Sequence, residues 1–492
     1  MLRSKYLENF LVRFFYLTSL LQLCFSDIIP YKDDIIYPQH PAYLSVPKFS
    51  AKDAPHWSPG KGNSYIDMSR ITLSLVCGEE LTSTAAGKEA LVAEECVKTN
   101  FEVLIFQSPV DGDKPWMDYW PSRQFCCLPE MVDAGTCLPE QTGHLIKPEE
   151  IFASEGVITL FPEARAAKFS DGTLSHLAVK KSGVYVVLMA SCDPFSSPVK
   201  VDGFAESMDP YGYLPADLFG NLPFYGMLSC AYVVIGIAWL SVCVLHSAEL
   251  LPLQMWITAV LALGMIETTV LFMHYLTWND YGSPSLFAST LSMIFGVTKR
   301  AASRVLVLMV SLGYGVVRPS LGDEMDKILY LGATYFLLSL VYTISAIMPS
   351  KRTAPNEPQA DMQALIVMML AGIDTTFYIW IMMSLNNILV SLAARRQTAK
   401  YTLYHHFRSV LGASLLLSFC WAMYSVFVIF GDHVDRNWEA RWTIDALWEV
   451  TYLVIFVAIA YLWAPSKNSQ RYAYSVELTQ LGESAVFFSF LN

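Results

Sequence analysis

Beyond Pro223 the chain runs through seven apolar stretches, at about 222–246, 253–276, 284–317, 327–348, 362–392, 401–430 and 442–463. Each is long enough to cross a bilayer. In hydrocarbon every backbone N–H and C=O must be satisfied inside the protein, so such a series folds as a helical bundle. Composition agrees: 54% of residues are apolar and 16% charged, with a mean hydropathy of +0.38. Soluble domains carry about 25% charged residues. The net charge of −11, with no dense Lys/Arg patch, argues against a nucleic-acid partner.

At the N-terminus, Arg3, Lys5 and Arg13 precede a short apolar run, 14–25, that ends at Ser26. A basic region, a short apolar core and a small residue describe a cleavable signal, so 1–26 is expected to be removed and 27–205 to fold in the lumen. Six cysteines lie in that segment: Cys77, Cys96, Cys126, Cys127, Cys137 and Cys192. In an oxidising compartment they predict up to three disulfides. Cys126 and Cys127 are adjacent, closer than the usual Cα separation of a disulfide, so they are not expected to pair with each other. No CxxC pair or Cys/His cluster has zinc spacing, and no metal site is expected. Cys230, Cys243 and Cys420 fall in the spans, where thiols usually pack as small apolar groups. No Asn-x-Ser/Thr sequon occurs.

The lumenal segment reads as β-structure. Residues 70–77 alternate Ile71, Leu73 and Leu75 with Thr72 and Ser74, the period of a half-buried strand. Residues 101–106, 157–161 and 183–190 are further β-branched and aromatic runs, separated by turn-rich segments such as 109–115. Short strands between such turns predict a β-sandwich. One helix is expected at 85–97, and the aromatic stretch Trp116–Trp120 reads as packing or a binding surface. No HExxH, GxSxG or phosphate-binding glycine loop appears, so the chain is not expected to be an enzyme.

A lumenal N-terminus and seven spans put the tail, 465–492, in the cytosol. Arg318 and the turn Arg395–Lys400 then lie on the cytosolic side, as the positive-inside rule requires. Lys351 and Arg352 run against it. Charge inside a span is costly, about 2.5–3.5 kcal/mol at the centre, so ionisable residues there mark an interior site. The second span carries Glu267 and His274, seven apart on one face. The third carries Lys299 and Ser303 on a face with Ser292 and Gly296, with Arg300 and Arg304 beside it. The fifth carries Asp374, and the seventh Asp445, Glu449 and Tyr452. Counted from the loops, Glu267, Lys299 and Asp374 share a depth near mid-bilayer, with Glu449 nearer the lumen. Opposite charges at one depth predict a single internal polar site. It would bind a lipid headgroup, pass a cation, or only fix helix packing. A G-protein-coupled receptor has least support: no Asp/Glu-Arg-Tyr follows the third span, and no Asn-Pro-x-x-Tyr lies in the seventh.

Two long segments carry a family resemblance. Residues 209–226, Asp-Pro-Tyr-Gly-Tyr-Leu-Pro-Ala-Asp-Leu-Phe-Gly-Asn-Leu-Pro-Phe-Tyr-Gly, resemble the segment that leads into the first span of the lung seven-transmembrane receptor family. That family is also called GOST, for Golgi-dynamics-domain seven-transmembrane-helix proteins. Residues 298–319 are similar to its transmembrane protein 87 branch, and 183–190 fit the last strands of its lumenal domain. The resemblance implies a GOLD-like lumenal β-sandwich (27–205), a linker bearing the hallmark (206–221) and a seven-helix bundle (222–464). It further implies a Golgi membrane protein that cycles through endosomes and the trans-Golgi network and supports vesicle-mediated retrograde transport. Its partners would be membrane lipids and a lumenal protein cargo, and a phospholipid is the one bound group it admits. Members of the branch have also been proposed as cation channels. Carried onto this chain, Lys299, Arg300 and Arg304 match the basic third-span motif. The apolar end, 485–492, departs from the polar, acidic tail of the family.

Overall fold

The computed structural model describes residues 28–36, 43–50, 53, 60, 62–75, 101–107, 125–133, 135, 137–146, 157–160, 167–168, 176–179, 181–193, 197–247, 250–317, 320–347, 357–424 and 438–465. The expected signal, Cys77, Cys96, the helix expected at 85–97, Trp116–Trp120, Arg318, Lys351, Arg352 and the tail beyond Pro465 lie outside these residues.

Among the described residues, ten strands form two antiparallel sheets. In the first, β10 (Val199–Met208) pairs with β1 (Ile28–Ile36) on one side and with β3 (Tyr65–Asp67) and β4 (Thr72–Leu75) on the other. The short strands β7 (Ala167–Lys168) and β8 (His176–Ala178) extend it. The second sheet runs in the order β2 (Tyr43–Ser50), β9 (Gly183–Ser191), β5 (Phe101–Gln107), β6 (Val157–Leu160). Ile66, Leu73, Val199 and Val201 of the first sheet pack on Val103, Ile105, Val187 and Met189 of the second. The other face of the second sheet, through Leu104, Phe106, Val186 and Leu188, is covered by Phe125, Met131 and Leu145 of residues 125–146. Strand β9 is therefore buried on both faces, and its sequence is an unbroken apolar run with no alternation.

Residues 125–146 are pinned in place by chemistry. Cys126 bonds to Cys192 at the end of β9, and Cys127 to Cys137. The adjacent cysteines thus take separate partners. Glu102, buried on β5, accepts from the Leu145 N–H at 2.5 Å and meets His144 Nδ1 at 2.7 Å. A buried carboxylate needs such partners, since burying it bare would be costly.

Seven long helices follow: α1 (Asn221–Leu245), α2 (Pro252–Tyr281), α3 (Leu286–Ser311), α4 (Asp323–Ile347), α5 (Glu357–Ala394), α6 (Thr398–Tyr424) and α7 (Trp442–Leu462). All except α3 contain a stretch long and apolar enough to cross a membrane. Helix α3 carries Lys299, Arg300 and Arg304 in its middle, yet it packs against α2, α4 and α5 inside the bundle. It ends at Ser311, short of the expected 317, because Gly313 turns the chain with a φ of +84°. Helix α7 closes the ring on α1.

The linker holds the two halves together. Strand β10 runs on to Met208, because Glu206, Ser207 and Met208 pair with β3. The Tyr213 N–H donates to the Asn279 carbonyl at the end of α2, and Asn279 Nδ2 donates to the Tyr211 carbonyl, each at 3.0 Å. On the strand side, the Tyr213 and Tyr65 hydroxyls both donate to Glu206, at 2.9 and 3.1 Å. Burial and the Glu206 carboxylate hold both phenols above their ordinary range, so both remain donors. Tyr211, Leu214 and Phe219 pack with Trp278 beneath them.

Candidate functional site

Lys299 sits near the middle of α3 and is 1% exposed. Its Nζ lies 2.5 Å from Glu267 Oε2 of α2 and 2.7 Å from Glu449 Oε2 of α7. The ammonium also stands 4.5 Å from the centre of the Tyr452 ring, a cation–π contact that strengthens when desolvated. One turn along, Ser303 Oγ meets the Tyr452 hydroxyl at 2.6 Å and bonds the Lys299 carbonyl. One turn back, a Cβ on Gly296 would lie 2.6 Å from Glu267 Oε1, so a side chain there would push against that carboxylate. A single ammonium thus ties three helices together.

Arg304 makes a second and separate pair. Its Nε and Nη2 reach Asp374 Oδ1 and Oδ2 of α5 at 2.5 and 3.2 Å, a two-pronged contact. Its guanidinium stacks 4.1 Å from the Tyr335 ring of α4. Unlike the lysine cluster, this pair is open: the side chains of Arg304 and Asp374 are 31% and 40% exposed. Arg300 lies between the two, half-buried, with its side chain in electrostatic reach of Glu267 and Asp445. No carboxylate of the described residues is within ion-pairing distance of it.

The sequence predicts one polar site; the structure has two. Asp374, counted to the same depth as Lys299, pairs with Arg304 instead. Residues five apart on a helix point about 140° apart, so Lys299 faces α2 and α7 while Arg304 faces α4 and α5. Glu449, placed nearer the lumen by counting, nonetheless reaches Lys299, at 2.7 Å. Asp445 joins neither pair and lies within electrostatic reach of Arg441 at the start of α7. His274 is also apart, buried in an aromatic layer with Tyr275 and Trp278 at ring distances of 5.4 and 5.8 Å. Its Nδ1 has no partner among the described residues.

Sequence reasoning missed Tyr335, which carries no charge and is one of several tyrosines on its helix. It also missed the pair of Asp217 and Arg441, whose Oδ2 and Nη1 are 3.5 Å apart. Both residues lie just outside the apolar stretches, where a search for charge within spans does not look.

A family model of the GOST seven-transmembrane domain matches residues 220–470. Transmembrane protein 87A of Homo sapiens is 31% identical over 281 residues, covering 57% of this chain and 48% of that protein. Transmembrane protein 87B of Mus musculus is 31% identical over 266 residues, covering 54% and 46%. Membrane protein PTM1 of Saccharomyces cerevisiae (strain YJM789) is 28% identical over 377 residues, covering 74% and 70%. The matched part of the chain spans about half the length of the Transmembrane protein 87 relatives.

Proposed function

Because the chain belongs to the GOST seven-transmembrane family, we propose that it is a non-enzymatic multi-pass protein of Golgi and endosomal membranes that supports protein traffic. Retrieval from endosomes to the trans-Golgi network is the step it serves. The two-sheet domain, read as GOLD-like and lumenal, binds a protein cargo or partner. The bundle holds a phospholipid headgroup.

Arg300 is the observation that carries the lipid reading. It is a half-buried guanidinium in the middle of a span, with no carboxylate of the described residues at ion-pairing distance, beside the open Arg304–Asp374 pair. An ionised side chain at the centre of a span costs about 2.5–3.5 kcal/mol. A phosphate meeting Arg300 and Arg304 would offset that cost with charge-assisted hydrogen bonds. The orientation rests on the exposed Arg395 and Arg396 at the turn between α5 and α6, opposite the β domain. Deleting 27–205 tests the trafficking role: cargo retrieval is lost while the bundle still reaches the Golgi. Full retrieval by the truncated protein would refute it.

A second reading, a cation pathway, is favoured by the excess of acid around Lys299, which faces Glu267 and Glu449 with Asp445 one turn earlier on α7. On that reading Lys299 is the barrier, and Lys299→Met raises cation flux into liposomes. Equal flux from the native and variant proteins would rule it out.

A further inference from the structure

Asp217 is a buried carboxylate at the place where the linker seats on α7. Its side chain is 7% exposed, and the nearest cation, Arg441 Nη1, is 3.5 Å away on a side chain that is 53% exposed. The seat around it is tight. Gly220 lies against the Trp442 indole so closely that a Cβ would overlap the ring. The Tyr211 and Phe219 rings stack at 3.5 Å, and the Asn221 N–H closes a turn on the Leu218 carbonyl at 2.9 Å. The groups facing Asp217 are Arg441 from the start of α7 and Tyr275 from α2, while Asp445 shares the same guanidinium. On its own segment the Asp217 and Leu218 N–H groups also bond the carboxylate. Together they do not make up for lost water: burial pushes the Asp217 carboxyl up to about 6, against the pull of Arg441.

We propose that Asp217 makes the joint between linker and α7 a proton-operated one. Protonated, it lets the linker seat fully; ionised, it loosens the seat, so acidity around the β domain locks that domain's linker onto the bundle. The sign follows from linkage. The seated state binds the proton more tightly than an opened, hydrated state with an ordinary carboxylate, so protonation favours seating. The effect has a route inward. Arg441, Asp445 and Glu449 are spaced four apart on one face of α7, and Glu449 bonds Lys299. The seat and the lysine cluster thus lie about two turns apart on one helix face. This inference does not depend on what the bundle binds.

The test is hydrogen exchange of the full chain in nanodiscs between pH 5 and 7.5, corrected for intrinsic rates and read on the peptide covering 212–222. A carboxyl near 6 when seated and near its ordinary value when open gives roughly a tenfold rise in protection from pH 7.5 to pH 5. Asp217→Asn, neutral and of the same shape, holds the high, acid-like protection across the range. Arg441→Gln moves the midpoint to higher pH, because the pull that lowers it is gone. Protection that is flat with pH in the native chain would overturn the proposal, as would the same transition persisting in Asp217→Asn.

Discussion

The cluster around Lys299 makes a strong demand on stability, and Lys299→Met tests it. Methionine keeps the apolar stem of lysine and its length, so packing changes little. What remains is Glu267 and Glu449, at 3% and 17% exposure, with the shared cation gone. An intact buried pair adds little net stability, since each ion loses its water; breaking one leaves uncompensated charge and costs about 3–5 kcal/mol. Here two carboxylates are stranded, so the upper part of that range applies. For a bundle of this size each kcal/mol lowers the melting temperature by about 2–4 °C, giving a drop on the order of 10 °C. The assay is thermal unfolding in detergent followed by tryptophan fluorescence, with Lys299→Met/Glu267→Gln beside the single variant. Removing the more buried carboxylate should restore part of the loss, because only the partly hydrated Glu449 then stays charged. A single variant within about 2 °C of native, or a double variant less stable than the single, would mean that Lys299 does not hold the two carboxylates in balance.

Three further expectations follow from the same geometry. Gly296→Ala places a methyl against Glu267 Oε1 and should cost about 1–3 kcal/mol, and pairing it with Glu267→Gln in a double-mutant cycle should show coupling between the two positions. Arg304→Lys keeps the charge but loses the two-pronged contact with Asp374 and the stack on Tyr335, so it should behave nearly like Arg304→Gln in unfolding assays. Cys192→Ser opens the link to Cys126 across 66 residues of chain; loop entropy sets the loss at about 4 kcal/mol, seen as unfolding of the β domain at lower denaturant with the bundle transition unchanged.

How much of this was legible in sequence depended on the kind of signal. Six of the spans were plain, because twenty apolar residues leave few alternatives; the third, with Lys299, Arg300 and Arg304 in its middle, lacks such a stretch. Also plain were β5 and β9, whose runs are buried on both faces or nearly so. Strand β2 was not, because Pro47 reads as a breaker; it is tolerated because β2 is an edge strand. Strand β1 was hidden by Pro30 and by Asp33 and Asp34, and β10 by Gly203 within it. The charged residues of the third span were found by their cost in a membrane, but their partners were not. Depth can be counted along a sequence; the direction a side chain takes around a helix axis matters only once neighbours are placed. That is why Asp374 seemed to belong with Lys299, and why Arg441 and Asp217, 224 residues apart, were invisible as a pair.

On the proposed reading, the basic face of α3 holds a phosphate-bearing headgroup. The most direct measurement is native mass spectrometry of the full chain released from gentle detergent, with the retained lipid identified by fragmentation. The native protein should carry a phospholipid. Arg300→Gln/Arg304→Gln, shown folded by its unfolding transition, should lose it, while Lys299→Met/Glu267→Gln should keep it. Equal retention by the native protein and the double arginine variant would mean that the headgroup is not held by Arg300 and Arg304.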